Sequence, residues 1–228
     1  MVHGGSAVRK LASSVERRCE ACRLPRRWCI CAAHRDLRCP LFIDVLMHVR
    51  EQYRPSSTGM LVRRLFPEAR LTVWTNRGRE PEEIRPERTE MWILHPHGEL
   101  LAAASEATSA QVVLLDGSWS EASAMAKTVG RRGRLVSLPM LGESRYWLRD
   151  QQDGGRFSTV EALMSLLQRL GLNATHDELR LQFELHVYAN LRARGRKEAA
   201  AKFLAGSPVA AALPDLIEQL NVRRPRES

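Results

Sequence analysis

Four cysteines fall within thirteen residues, as Cys19-x-x-Cys22 and, after a six-residue loop, Cys29-x-Cys31. Each short pair lets two sulfurs reach one ion without distorting the backbone, and the loop folds the pairs together. The set can therefore close a tetrahedron around zinc, and a structural site with no open coordination position is expected. Ordinary buried cysteines fit poorly, because Arg18, Arg23, Arg26 and Arg27 surround them. A redox CxxC would leave the second pair unexplained. Cys39 is left as a free thiol. The loop itself carries Arg23, Arg26, Arg27 and Trp28. Arginines grip phosphates and an indole can stack on an unpaired base, so these four are candidate RNA contacts. Trp28 can equally serve to pack the module against the rest of the chain.

A second set of reactive types lies further on. Asp116 ends an apolar run and is followed by Gly117, Ser118 and Trp119. A strand-end acid can cap a helix, sit on the surface, or act as a general base. Ser158 and Thr159 open a helical stretch, where free backbone N–H groups can hold a carboxylate. Ser158 with Glu161 also reads as a capping box, and Glu161 can meet an ammonium group. His48 and Glu51 close the first apolar run and Arg54 follows. These three can contact a ligand or RNA, and His48 with Glu51 can also be a structural pair.

The elements that must position these residues alternate. Apolar runs with strand length and composition cover Leu41–Val49, Leu71–Thr75, Met91–His95, Gln111–Asp116 and Arg134–Leu138. Helical stretches are expected at Gly59–Phe66, about Leu100–Thr108, Ser120–Thr128, Thr159–Leu170 and His176–Arg194. The alternation predicts an α/β fold with a mostly parallel sheet and helices on both faces. Ligands of such sheets bind beyond the carboxyl ends of the strands, where Asp116 and His95-Pro96 fall. No GxGxxG follows an early strand, so a Rossmann cofactor site has no support.

The chain of 228 residues can bury one sizeable core plus a small appendage. We divide it into a basic arm (1–18), a four-cysteine zinc-binding module (19–40), a catalytic domain (41–205) and a C-terminal extension (206–228). A formal charge of +9 points to a polyanionic partner, and nucleic acid is the first candidate. Residues 1–40 hold nine basic side chains against three acids, and a second basic stretch spans residues 130–149. No long apolar run suggests a membrane span. The first residues lack the apolar core of a secretory signal, so a reducing cytoplasm without disulfides is expected. Oligomeric state is not legible.

Leu114-Leu115-Asp116-Gly117-Ser118-Trp119 resembles the signature of the DTW-domain family, with Ser118 in the threonine's place. His48-x-x-Glu51 followed by Ser57-Thr58-Gly59 is similar to the family's H-x-x-E…N-T-G element, with serine for asparagine. Leu94-His95-Pro96 matches an apolar-x-Pro strand end, and Ser158-Thr159-Val160-Glu161-Ala162 matches S-T-x-E-A. The cysteine pairs complete five elements in the family's order, over roughly residues 19–195. The resemblance implies a SPOUT-like fold, with a knot near the carboxyl end to be looked for. It also implies transfer of an aminocarboxypropyl group from S-adenosylmethionine to a tRNA uridine, in the variable loop for bacterial members.

On that basis Asp116 is the expected general base for uridine N3. Leu94, Pro96, Ser118, Trp119, Leu138, Leu141, Ser158, Thr159 and Glu161 are the expected S-adenosylmethionine contacts. A Cys22→Ser change is expected to disorder the module and spare binding of that ligand. Two other readings stand beside this one: a SPOUT-like RNA methyltransferase, and a non-catalytic zinc-containing RNA-binding protein.

Overall fold

A computed structural model describes residues 18–75, 81–84, 86–88, 90–101, 110–149 and 157–222. Its strands are β1 (Phe42–His48), β2 (Arg70–Trp74), β3 (Met91–Leu100), β4 (Gln111–Asp116) and β5 (Arg134–Ser137). They form one sheet in the order β2-β1-β4-β3-β5, parallel at every described pairing. The larger helices are α1 (Thr58–Leu65), α2 (Trp119–Val129), α3 (Thr159–Arg169) and α4 (Asn173–Ala193).

Both faces of the sheet are covered, which is why β1 and β4 read as near-continuous apolar runs. Successive side chains still part to opposite sides. Val45, Met47, Val112 and Leu114 enter a core shared with α1, α3 and α4, while Leu46 and Val113 meet Met125 and Val129 of α2. Toward the amino ends, the fully buried Asp44 accepts two hydrogen bonds from Arg70 (2.7 and 3.0 Å) and one from Gln111 (2.7 Å). That pairing ties β2, β1 and β4 together and compensates the buried charge.

Apart from one-residue shifts and an α4 that begins at Asn173 instead of His176, two element boundaries differ from the sequence reading. β3 continues past His95, because Val136 pairs with both Leu94 and Glu99 and the residues between loop out. A Cβ on Gly98 would come within 2.5 Å of the Val136 backbone, so only glycine lets the loop lie that close. The helix expected from about Leu100 is corrected at its start. Leu100 ends β3, and Leu101 donates its N–H to the Ser137 carbonyl at 3.0 Å. Residues 102–109 of that stretch lie outside the described residues.

Neither appendage stands apart. Cys22, Leu24, Trp28, Ile30 and Leu37 of the cysteine module belong to the main core. After α4 come α5 (Lys197–Ala205), α6 (Val209–Ala212) and α7 (Pro214–Asn221), and Phe203, Val209, Ile217 and Leu220 join the same core. Of the basic arm only Arg18 is described, in an antiparallel bridge with Pro25; the final residues 223–228 also lie outside the described residues. No helix among the described residues is long and apolar enough to cross a membrane.

From adjacent carboxyl ends, β1 leads through α1 to β2, and β4 leads through α2 past β3 to β5. The connections leave to opposite sides, so a crevice opens between the ends of β1 and β4.

Candidate active site

Met47 of β1 and Asp116 of β4 are register partners, which places Asp116 in that crevice beside His48. Asp116 is 3% exposed and is held by two hydroxyls: Ser57 donates to Oδ2 at 3.0 Å and Thr159 to Oδ1 at 2.7 Å. Ser57 is also the N-cap of α1, accepting the Met60 N–H at 3.1 Å. Gly59 lies against the same carboxylate, and a Cβ there would stand 2.7 Å from Asp116 Oδ2. A carboxylate has about four lone-pair positions, so two hydroxyl donors orient Asp116 and leave room for one more proton.

The donors are themselves tied into a ring. Ser158 caps α3 in a capping box: its hydroxyl accepts the Glu161 N–H (3.3 Å) and its N–H donates to Glu161 Oε2 (2.7 Å). Glu161, 7% exposed, also accepts from the Ser144 hydroxyl (3.0 Å) and the Arg145 N–H (2.7 Å). That anchors the segment whose Tyr146 hydroxyl donates to the Ser56 carbonyl at 2.6 Å, next to Ser57. Glu161 thus serves as a brace, in the capping box the sequence also offered, with both oxygens receiving the chain's own donors.

The crevice deepens into a cavity of about 580 Å³ beyond the strand ends. Asp116 lies in its wall with Leu94, Pro96, Ser118, Trp119, Leu138, Ser158 and Thr159, with His95 and Met140 from the strand end and the apolar stretch the sequence pointed to, and with Tyr146 and Arg149, which were not assigned to it. Leu141, next to Met140 in the same stretch, is 87% exposed beside Gly142 (φ 78°) and is not part of that wall. The amino ends of α2 and α3 both border the cavity, directing their partial positive charge toward it. Trp119 is 41% exposed on the rim. His95 accepts the His97 N–H at Nδ1 (3.2 Å), which leaves the proton on Nε2 toward Ser123 (3.3 Å); burial pushes its pKa below the ordinary histidine value.

His48, Glu51 and Arg54 brace the rim. His48 is 2% exposed, and its Nδ1 lies 3.0 Å from Oε1 of Glu121, whose Oε2 accepts the Ser118 N–H at 2.8 Å. Burial pushes Glu121 up, but the Ser118 donors, His48 and Arg50 outweigh it and hold the carboxyl below its ordinary range. Glu51, 1% exposed, pairs with Arg54 (2.8 Å) and Arg149 (2.9 Å); burial raises its pKa against the pull of Arg149. His48 and Glu51 are thus buried and paired, in the structural role the sequence also allowed but not with each other, while Arg54 is exposed. Glu121 had a local signal, Ser118-x-x-Glu121, a second capping box. Ser144, Tyr146 and Arg149 had none.

The four sulfurs of Cys19, Cys22, Cys29 and Cys31 lie within 4.8 Å of one another, with Cys19–Cys31 at 3.7 Å and Cys22–Cys29 at 3.8 Å. A tetrahedral tetrathiolate zinc site has sulfur–sulfur edges of about 3.8 Å, so the cluster can hold a metal ion. Without an ion the thiols differ: the Cys22 backbone N–H pulls Cys19 down to about 6, whereas burial pushes Cys22 and Cys31 up. Arg64 of α1 donates to the Ala21 carbonyl at 3.0 Å; burial lowers its pKa, and all four cysteines pull the other way.

Of the two roles the sequence left open to Trp28, its placement fits packing. The indole is 9% exposed, with Arg27 and Arg192 of α4 over its ring at 4.8 and 4.9 Å, so it packs the module down and offers no face to a base. Arg26 is exposed, Arg27 also reaches the Val222 carbonyl (3.3 Å), and Arg23 stays at the surface edge. Much of the second basic stretch serves the fold: Arg132 donates to the Pro81 and Ile84 carbonyls (both 2.6 Å), and Arg145 pairs with Glu184 (3.0 Å).

Among known proteins, the family model for the DTW domain matches residues 16–191, and no solved structure matches.

Proposed function

The chain belongs to the DTW-domain family, linked to tRNA modification, and from that premise we propose that it transfers the aminocarboxypropyl group of S-adenosylmethionine to N3 of a tRNA uridine. The observation that carries this reading is Asp116, buried but lodged in the wall of a cavity of about 580 Å³, within the size range of small-molecule sites. S-adenosylmethionine supplies an activated γ-carbon, whose bond to sulfur breaks with the electron pair as methylthioadenosine leaves. The apolar wall of Leu94, Leu138 and Met140 suits an adenine ring, and the two helix amino ends suit the amino-acid carboxylate. Ser57 and Thr159 hold Asp116 so that a free oxygen lone pair takes the N3 proton, which frees the nitrogen pair to form the new bond. Uridine N3 is unavailable within a base pair, so the acceptor enters unpaired, past Trp119. The tetrathiolate cluster takes zinc in a structural role, since four protein sulfurs leave no coordination position for a reactant.

The test is mass spectrometry of tRNA nucleosides after incubation with purified protein and S-adenosylmethionine. An aminocarboxypropyl uridine with methylthioadenosine is expected. S-adenosylhomocysteine would make the protein a methyltransferase. An unmodified tRNA pool bound by the protein would leave it a non-catalytic RNA-binding protein.

A further inference from the structure

Among the described tryptophan, tyrosine and phenylalanine side chains two are exposed, Trp119 at 41% and Tyr53 at 65%. Trp119 belongs to the cavity rim. Tyr53 has no part in the site described so far. It lies in the turn after β1, two residues beyond Glu51, whose pairing with Arg149 joins that turn to the cavity wall. Because His48 and Glu51 are buried and paired, the turn is braced, and Tyr53 projects from a fixed base. One face of its ring is covered by the Arg23 guanidinium at 5.1 Å; the exposure belongs to the rest.

Arg23 is the only non-glycine residue with positive φ among those described, at 60°. A residue with a Cβ takes that conformation reluctantly, and glycine would take it freely. The conformation is imposed by the Arg23 N–H donating to the Cys19 carbonyl (2.7 Å) and Arg18 donating to the Arg23 carbonyl (3.0 Å). No described carboxylate pairs with Arg23. The side chain is half-buried, with its Nε buried and without a hydrogen-bond partner, and strain held at such a charged residue is a pointer to use. In the same turn the side chains of Arg50 and Arg54 are 74% and 52% exposed, whereas those of the acids they pair with, Glu121 and Glu51, are 12% and 1% exposed. The basic partners are thus the more accessible.

We propose that Tyr53, backed by Arg23, is a stacking platform for an unpaired nucleobase beside the one that enters the cavity. This rests on the reading of the protein as a tRNA-modifying enzyme. A base has a π-face whatever its identity, and an arginine under the ring adds a cation–π contribution. The cysteine module thus reaches the substrate through Arg23 rather than through Trp28.

The test is binding of an in vitro transcribed tRNA across a salt series, with a blunt RNA duplex as control. Tyr53→Ala should weaken tRNA binding by about five- to a hundredfold, leave the salt slope unchanged, and spare the duplex. Tyr53→Phe should bind like the parent. Arg23→Gly should melt at the parent temperature or higher, because the strain is gone, yet bind tRNA more weakly. Parent affinity in both Tyr53→Ala and Arg23→Gly, with tRNA still modified by the parent protein, would overturn the platform and leave the enzyme reading standing. Equal weakening toward tRNA and duplex would overturn stacking in favour of plain charge. A parent protein that binds no tRNA would remove both.

Discussion

Asp44 and Asp116 are both aspartates buried in strands, yet their partners assign them different work. Asp44 meets a guanidinium, which compensates its charge, and an amide at the amino end of the sheet, three donors in all. Asp116 meets only two hydroxyls at the carboxyl end and borders a cavity. Asp116→Asn keeps its shape, so we expect bound S-adenosylmethionine and tRNA to be retained while turnover falls by about a hundredfold or more, as measured by methylthioadenosine release. Unchanged turnover in a variant with parent-like melting would exclude Asp116 as the base. Gly59 gives a sharper case. Alanine within a helix normally stabilises by about 0.5–1 kcal/mol relative to glycine. Here its Cβ would stand 2.7 Å from the Asp116 carboxylate, so Gly59→Ala should lower both melting temperature and turnover.

At the scale of elements, α1 is a strut between the cysteine cluster and Asp116. Its amino end supplies Ser57 and Gly59 to Asp116, and from near its carboxyl end Arg64 reaches the Ala21 carbonyl between the cysteines, while Leu65 accepts the Leu37 N–H at 2.6 Å. The sequence alone suggested that Cys22→Ser would spare ligand binding. With α1 shared, we expect the reverse: chelation or Cys22→Ser should raise amide hydrogen exchange in residues 58–65 and weaken S-adenosylmethionine binding. Parent-like exchange there in metal-depleted protein would show that the strut transmits nothing.

For the whole molecule, pH dependence follows from histidines buried in the neutral form. Burial pulls His34 down to about 4, with Arg64 adding to it, and lowers His95 and His186 below the ordinary value of 6.5. Between about 6.5 and 4 the unfolded chain binds protons that the folded chain refuses, so stability is lost as pH falls through that window. The melting temperature should drop by something on the order of 5 °C from pH 7 to pH 5, and a His34→Gln, His95→Gln pair should flatten the slope. A flat profile in the parent would refute the assignment. The net charge of +9 acts at the same scale, and tRNA affinity should fall steeply with added salt.

What the sequence determined by itself is whatever depends on neighbours within a few residues. The Cys19-x-x-Cys22 and Cys29-x-Cys31 spacings, the capping box at Ser158, and Asp116 at the end of an apolar run were legible because capping and strand pattern are short-range physics. The tertiary structure alone decided which distant groups meet. Ser57 reaches Asp116 across 59 residues, and Tyr146 reaches Ser56 across 90. The strand order, the burial of Trp28 under Arg192, and the pairing of Glu51 with Arg149 belong to the same class. No local propensity encodes such contacts. They appear when the two faces of the sheet are covered and each buried polar group must find a partner from whatever the packing brings near.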